Sequence, residues 1–468
     1  MAAVQDMAST YQARGLPSRH KRSAQVIVIG AGPSGLQAAY NLQRAGATCL
    51  VLDARDRIGG GPVAADDYFN ATSHPRVAEL AWGLGLAVEQ QSDEGKDVVE
   101  GLGASRADGT PNLSEDHRRS FIRVRDNLEG LSQRVDVSRP AQQLPNYGAM
   151  TVHELAVSQG ATPIVQKLAN AWTSTLFGLD SKDVSALCFL LHCKCAGGLL
   201  QVLSEMRSSE QSVRLQGGVE KLCEELAARL QPGSVCLSQV VERIDQTPGN
   251  KVVVTTQSGD VFQCTKAILA GPAQCTAIEV APELSEDKQC LLESAKPGFS
   301  KRIALVYDAP WWRERGLSGC AQGLDGSISV VKDTSRDIDG FYSLTCFVAG
   351  ESGTELWQKM DDERQQSLLN HVEAIYGDTV PTPCEIVDLD QHADTFSPAP
   401  ACLAVPAANL RNLERDQWQP EGSVFFAGAE VSYVLRGHVE GELASGRRVA
   451  EEVIYALRPM PEAMSSRL

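Results

Sequence analysis

Residues 25–60 read QVIVIGAGPSGLQAAYNLQRAGATCLVLDARDRIGG, and the fold follows from this stretch. Val26 to Ile29 are an unbroken apolar run, the mark of a parallel strand buried on both faces. Gly30, Gly32 and Gly35 then form G-x-G-x-x-G where strand gives way to helix. The first glycine permits the tight turn, the second lets backbone approach a pyrophosphate, and the third lets helix pack on strand. Pro33 and Ser34 open the helix, whose N-terminal N–H groups and dipole favour an anion. A second apolar run, Cys49 to Leu52, ends in Asp53, an acid placed to accept hydrogen bonds from a ribose. Strand, glycines, helix, strand and acid in register define a dinucleotide site.

Ala54-Arg55-Asp56-Arg57-Ile58-Gly59-Gly60 follows directly. It resembles the E-A-R-D-R-x-G-G run of the flavin amine oxidases, the family of monoamine oxidase, in which the two glycines pass close to FAD. The resemblance extends over roughly residues 24–457. It includes Asp183 to Leu190, Val240 (whose counterpart meets the adenine), Thr265 to Pro272 with Gly271 near the flavin, and Lys301 to Trp312. It is nearest to fungal members by the run Ser181 to Leu200 and by LVYDAPWW. Val424 to Glu430 resembles F-A-G-T-E, with Gly428 and Glu430 at the cofactor. Gly437-His438-Val439-Glu440-Gly441 resembles G-Y-M-E-G and opens a helix aimed at the flavin N1–C2=O edge, where it would stabilise negative charge.

The fold class expected is therefore α/β: a Rossmann-type FAD-binding domain with an interposed α+β substrate domain, both discontinuous. Residues 1–22 read as a mobile N-terminal arm. Residues 23–92, 212–297 and 395–459 read as the FAD-binding domain, 93–211 and 298–394 as the substrate domain, and 460–468 as a tail. Helix is expected around Phe121 to Leu131 and again from Thr151 to Leu200. Val252 to Thr256 and Asp260 to Cys264 read as a hairpin.

The departures from the family pattern bear on activity. After Gly61-Pro62 a flavin-contacting loop is shortened and its arginine lost. The lysine expected to point at the flavin N5 falls on Arg302, with Lys301 one residue away and on the opposite side of a strand. The two tyrosines that sandwich an amine in monoamine oxidases fall on Leu403 and His438, and a nearby tryptophan on Leu435. Benzylamine and other simple primary amines are thus expected to turn over negligibly. His438 is the one ionisable group that the sequence alone places at the flavin face, and a histidine can serve as base or acid near neutral pH. Cys402 lies close to where some family members attach the flavin as a thioether. The glycines that usually precede that cysteine are missing, so FAD is expected to be held without a covalent bond.

The resemblance implies hydride transfer from a substrate C–H to FAD and reoxidation by O2 to H2O2. The substrate would be a small molecule, a non-standard amine or biosynthetic intermediate. A flavin-dependent isomerase or desaturase of the same fold, and a catalytically impaired FAD-binding homologue serving as a binding module, stay open. The 43 basic and 59 acidic residues leave a charge of −16 and argue against nucleic acid. No apolar run is long enough to span a bilayer, no signal-peptide core is seen, and a homodimer is compatible with the chain. The scattered cysteines read as reduced thiols. Cys188, His192 and Cys195 share one helical stripe, read as core-facing, and no metal is expected. Ser466-Arg467-Leu468 resembles the S-K-L peroxisomal address, with a cytoplasmic location as the alternative.

Overall fold

Apolar runs that are buried on both faces can only be inner strands, and the four-residue runs of the fingerprint behave so. Strands β1 (Val26–Ile29), β2 (Cys49–Leu52), β3 (Val235–Cys236), β4 (Lys266–Leu269) and β5 (Val424–Phe426) pair in the order β5-β4-β1-β2-β3, all parallel. Val26 aligns with Cys49 on one side and with Lys266 on the other. Alternate residues serve different cores. Val26, Val28 and Val51 pack on helices, whereas Ile27, Leu50 and Leu52 pack on a second sheet. The computed structural model describes residues 21–60, 68–90, 94–105, 110–207, 212–249, 251–271, 278–289, 298–377, 380–389, 396 and 419–458.

Helix α1 (Pro33–Arg44) buries Leu36, Ala38, Ala39 and Leu42 against the sheet. The last long helix of the described chain, Val439–Ala456, lies beside it. Gly446 makes that approach possible: a Cβ there would stand 2.3 Å from the Ser34 carbonyl oxygen. The two helices thus bring the glycine loop and the start of the Val439 helix to one end of the sheet.

The second sheet holds the strands Lys21–Ser23, Val261–Cys264, Val252–Thr256, Val241–Asp245 and Glu279–Ala281 in that order. The hairpin appears as read, Val252 pairing with Cys264. Lys21 and Arg22, expected in a mobile arm, are instead the outer strand, because Val261–Gln263 offers an open backbone edge for them. Arg22 also donates to the Gly233 carbonyl at 2.7 Å. Residues 1–20 of the expected arm lie outside the described residues.

A seven-stranded sheet draws all its strands from residues 96–104 and 300–388. Against it packs a helical layer that includes Glu115–Arg134, Pro163–Phe177, Ala186–Cys195 and Leu199–Glu205. The core is built on Trp172, Phe177 and Phe189. In Ala186–Cys195 nearly every side chain is buried, so helical periodicity carries no information about its partners. Cys188 and Cys195 belong to this core, and His192 meets Phe177 edge-on at 5.3 Å. Burial, reinforced by the charges of His438 and Arg436, pushes the His192 imidazole down to about 3. Among the described residues no single helix is long and apolar enough to cross a membrane.

Candidate active site

The three fingerprint glycines do different work. Gly30 has φ +112°, and a Cβ there would meet the Ala270 oxygen at 2.5 Å. A Cβ on Gly35 would stand 2.0 Å from the Gly30 oxygen. The fold itself therefore needs both. Gly32 has φ −78°, open to any residue, and its Cβ would find only the Gly60 Cα at 3.8 Å and the Glu442 Oε2 at 4.0 Å. The space above Gly32 is a cleft, and Gly60, at φ +84°, forms its other wall. Gly59 donates its N–H to the Ala31 oxygen at 3.1 Å and so ties the second loop to the first. At Gly271, where β4 ends, a Cβ would again meet nothing within 4 Å.

This cleft fits a diphosphate. Helix α1 starts with Pro33, has no side-chain cap at Gly32, and carries no acidic residue in its first turn. The Ser34 hydroxyl is buried with no hydrogen-bond partner among the described residues. A buried hydroxyl without a partner is costly, and a ligand oxygen at the helix start would satisfy it.

Asp53 sits deeper than its sequence position suggests. It is 3 % exposed. One carboxylate oxygen accepts the Ala31 N–H at 2.6 Å and the other the Arg55 N–H at 2.9 Å. Its first task is therefore to hold the glycine loop, and a ribose would share lone pairs that the backbone already uses. Ala54 is half-buried beside it, and the Arg55 guanidinium lies 5.7 Å from the Phe396 ring centroid. Val240 accepts the Gln257 N–H and precedes the strand Val241–Asp245. Next to it Gln239 donates its N–H to the Asp53 carbonyl and keeps a buried Oε1 without a partner among the described residues. Sequence reading passed over Gln239, for no motif marks it.

His438 is the N-cap of the helix Val439–Ala456, and Val439 is its first residue. Glu442, one turn on, is the residue whose carboxylate borders Gly32. Gly428 and Glu430 follow β5, where the Gly428 N–H reaches the Ser445 hydroxyl at 3.2 Å and Glu430 is 7 % exposed. Leu435, read as facing the flavin, packs instead in the helical core. Its φ of +41° is strained for a leucine and is held by its N–H bond to the Cys195 oxygen at 2.8 Å.

His438 has company that its sequence neighbours do not reveal. The His74 ring lies 5.9 Å from it, centroid to centroid. Glu205, from the end of the Leu199–Glu205 helix, completes a group whose ligating atoms all lie within 4.8 Å of one another. His438 is thus not the only ionisable group there, as the sequence had suggested. Burial lowers the His74 pKa, opposed by the Glu205 carboxylate and assisted by His438. Glu440 holds the arrangement. Fully buried, it accepts the Arg76 and Val77 N–H groups at 2.9 Å each and the Arg76 guanidinium at 2.9 Å. It thereby caps helix α2 (Pro75–Leu84), whose own N-cap, His74, supplies no side-chain bond. Glu440→Ala would strand these donors and is expected to destabilise the protein by about 3 kcal/mol. An unfolding midpoint within a degree of the unaltered protein would contradict this role.

Strand pleating separates Lys301 from Arg302 on Ser300–Tyr307. Lys301 shares a face with Ile303 and Leu305, and its ammonium sits 5.5 Å from the Trp357 ring centroid, toward the outer helices. It is set aside as a flavin neighbour. Arg302 pairs with Phe347, which pairs with Val330, and Val330 lines a cavity shared with Trp172, Met206 and Arg207. Arg302 therefore stands on the cavity side of the sheet. Gly61, Cys402, Leu403 and Ser466-Arg467-Leu468 lie outside the described residues.

A parallel nucleotide sheet joined to a mixed sheet and a helical layer, with a glycine-lined helix start suited to a diphosphate, defines a dinucleotide-binding protein. The model of the flavin containing amine oxidoreductases matches residues 74–454, and an NAD(P)-binding Rossmann-like domain model matches 28–62. The chain belongs to the flavin-containing amine oxidoreductase family, whose cofactor is FAD. AofH of Mycobacterium tuberculosis, which carries the name of a flavin-containing monoamine oxidase, is 28% identical over 448 residues, 93% of this chain and 97% of that one. Mouse flavin-containing amine oxidase B is 24% identical over 462 residues, 94% and 88% of the two chains. Putrescine oxidase bound to putrescine superposes with a TM-score of 0.86 at 22% identity, covering 93% of this chain and 100% of that one. Cyclohexylamine oxidase from Brevibacterium oxydans gives 0.84 at 23%, covering 93% and 99%. At these identities the two structures speak for the fold.

Proposed function

We propose that this protein is an FAD-dependent oxidase acting on a non-standard amine or a related biosynthetic intermediate. The observation that carries the reading is the space at Gly32 and Gly60, open to a ligand and bordered by the Glu442 carboxylate from the first turn of the Val439–Ala456 helix. Bound FAD would supply the hydride acceptor and the route of electrons to O2, giving H2O2. The chain's own residues do the rest. Gly32, Ser34 and Gly60 would hold the diphosphate, with Asp53 fixing the loop beneath it. The cavity lined by Phe121, Leu168, Trp172 and Met206 also carries the polar residues Asp97, Ser105, Thr175, Arg207 and Gln322, the mixed lining of a small-molecule site.

We further read the FAD as non-covalently held, the kinship as nearest to fungal amine oxidases, and the address as peroxisomal, all on the sequence features given above. The expected result is a yellow purified protein that releases H2O2 in step with amine consumption. Turnover without O2 consumption would replace the oxidase with an isomerase. A protein with no visible flavin absorbance after reconstitution with excess FAD would overturn the reading.

A further inference from the structure

His74, Glu205 and His438 come from three distant stretches of chain and meet beside the cleft, one helical turn from the residue that borders Gly32. Two imidazoles and a carboxylate within 4.8 Å invite a metal. The hydrogen bonds speak against it. His74 Nδ1 accepts the Asn70 backbone N–H at 2.8 Å, so the neutral ring carries its proton on Nε2. A metal-ligating imidazole does the reverse, donating from one nitrogen while the other presents its lone pair to the ion.

The tautomer therefore makes His74 a donor. Glu205 is the acceptor at hand, and its Oε1 already takes the Gln201 amide at 3.0 Å, which fixes the carboxylate. Lys332 also anchors this helix end, donating to the Glu205 carbonyl at 3.2 Å. With Glu205 taken as the partner of the His74 Nε2–H, the acceptors left for a ligand are a carboxylate lone pair and a ring nitrogen of His438. Two ligand N–H groups, about 2.8–2.9 Å from each acceptor, would span the gap. A neutral primary amine has two such groups and one lone pair. Held this way, its lone pair stays free to become the C=N bond as the hydride on the adjacent carbon passes to bound FAD; Glu205 attracts the ammonium form, whose extra proton is lost to water before the two N–H groups engage. Hydrogen bonds of this kind are often long in an unliganded site and tighten with substrate.

We propose that His74, Glu205 and His438 form the substrate head-group site, which takes a primary amine through its two N–H groups in place of an aromatic cage. This rests on the oxidase reading above. It also accommodates the expected poor turnover of simple amines: they would engage the head-group site yet lack the further contacts that a larger substrate body makes.

The probes are n-butylamine, N,N-dimethylbutylamine and 1-butanol, titrated into the purified protein by saturation-transfer NMR. n-Butylamine is expected to bind in the millimolar range, at least about tenfold tighter than the tertiary amine or the alcohol, since neither can fill both acceptors. Glu205→Gln, near-isosteric, should erase that preference, and circular dichroism checks its fold. Equal binding of the three probes, or a preference that survives in both Glu205→Gln and His438→Gln, would overturn the proposal. So would stoichiometric micromolar Zn2+ binding that is lost in His74→Asn, which would make the cluster a metal site. NMR reads amine binding without the flavin, and visible absorbance reads the flavin without an amine, so failure of the head-group site and failure of the FAD reading are told apart.

Discussion

Gly32→Val should yield a folded, colourless protein. Backbone at φ −78° accepts valine, and the first atoms a Cβ would meet are 3.8 and 4.0 Å away. The chain has no need of glycine there. A diphosphate does, because its approach to the first turn of α1 runs through the space that the branched side chain would take. Flavin retention is expected to fall at least about 100-fold, or about 2.8 kcal/mol. Gly35→Ala should do the opposite kind of harm. Its Cβ would press on the Gly30 oxygen from 2.0 Å, so backbone must shift, and overpacking of this sort costs about 1–3 kcal/mol or more. Visible absorbance after FAD reconstitution, read beside a thermal melt, separates the two. A yellow Gly32→Val protein with full flavin content would place the diphosphate elsewhere.

His438→Ala should stay yellow and lose turnover by about 10²–10⁴-fold, the range for a lost acid–base or proton-accepting group. The division follows from the geometry. The His438 carbonyl accepts the Glu442 N–H at 3.0 Å, and its N–H reaches the Leu435 oxygen at 3.1 Å. The turn that borders the flavin cleft is therefore built from backbone, which alanine keeps. What alanine removes is the ring that meets His74 and Glu205. The measurement is the pH dependence of kcat/KM for an amine that reduces the flavin in the unaltered protein. A profile that keeps its shape in His438→Ala would leave the ring a packing role only.

The nucleotide half of the fold was legible because its signals are local. A four-residue apolar run, three glycines at fixed spacing and a proline at the helix start each act within a few residues, and β1, α1 and β2 appear where they were read. Asp53 follows β2 where it was read for the same reason, and its partners are the Ala31 and Arg55 amides. Lys301 and Arg302 were only half legible. Pleating says that neighbours face opposite sides, but only the pairing with Phe347 and Val330 says which side is the cavity.

The sequence by itself determined the cofactor class, the strand–glycine–helix geometry and the position of His438 at a helix start. Tertiary structure alone decided what His438 meets. Nothing in Ser73-His74-Pro75 beyond a proline at the start of a helix, and nothing in Ser204-Glu205-Met206, marks a site. Their meeting depends on Glu440 capping α2 and on the Cys195 carbonyl holding Leu435, contacts made between residues hundreds of positions apart. Hydrogen bonds and charges act over a few ångströms in space and carry no trace of their partner along the chain. A site assembled by such contacts becomes visible only when the chain is folded.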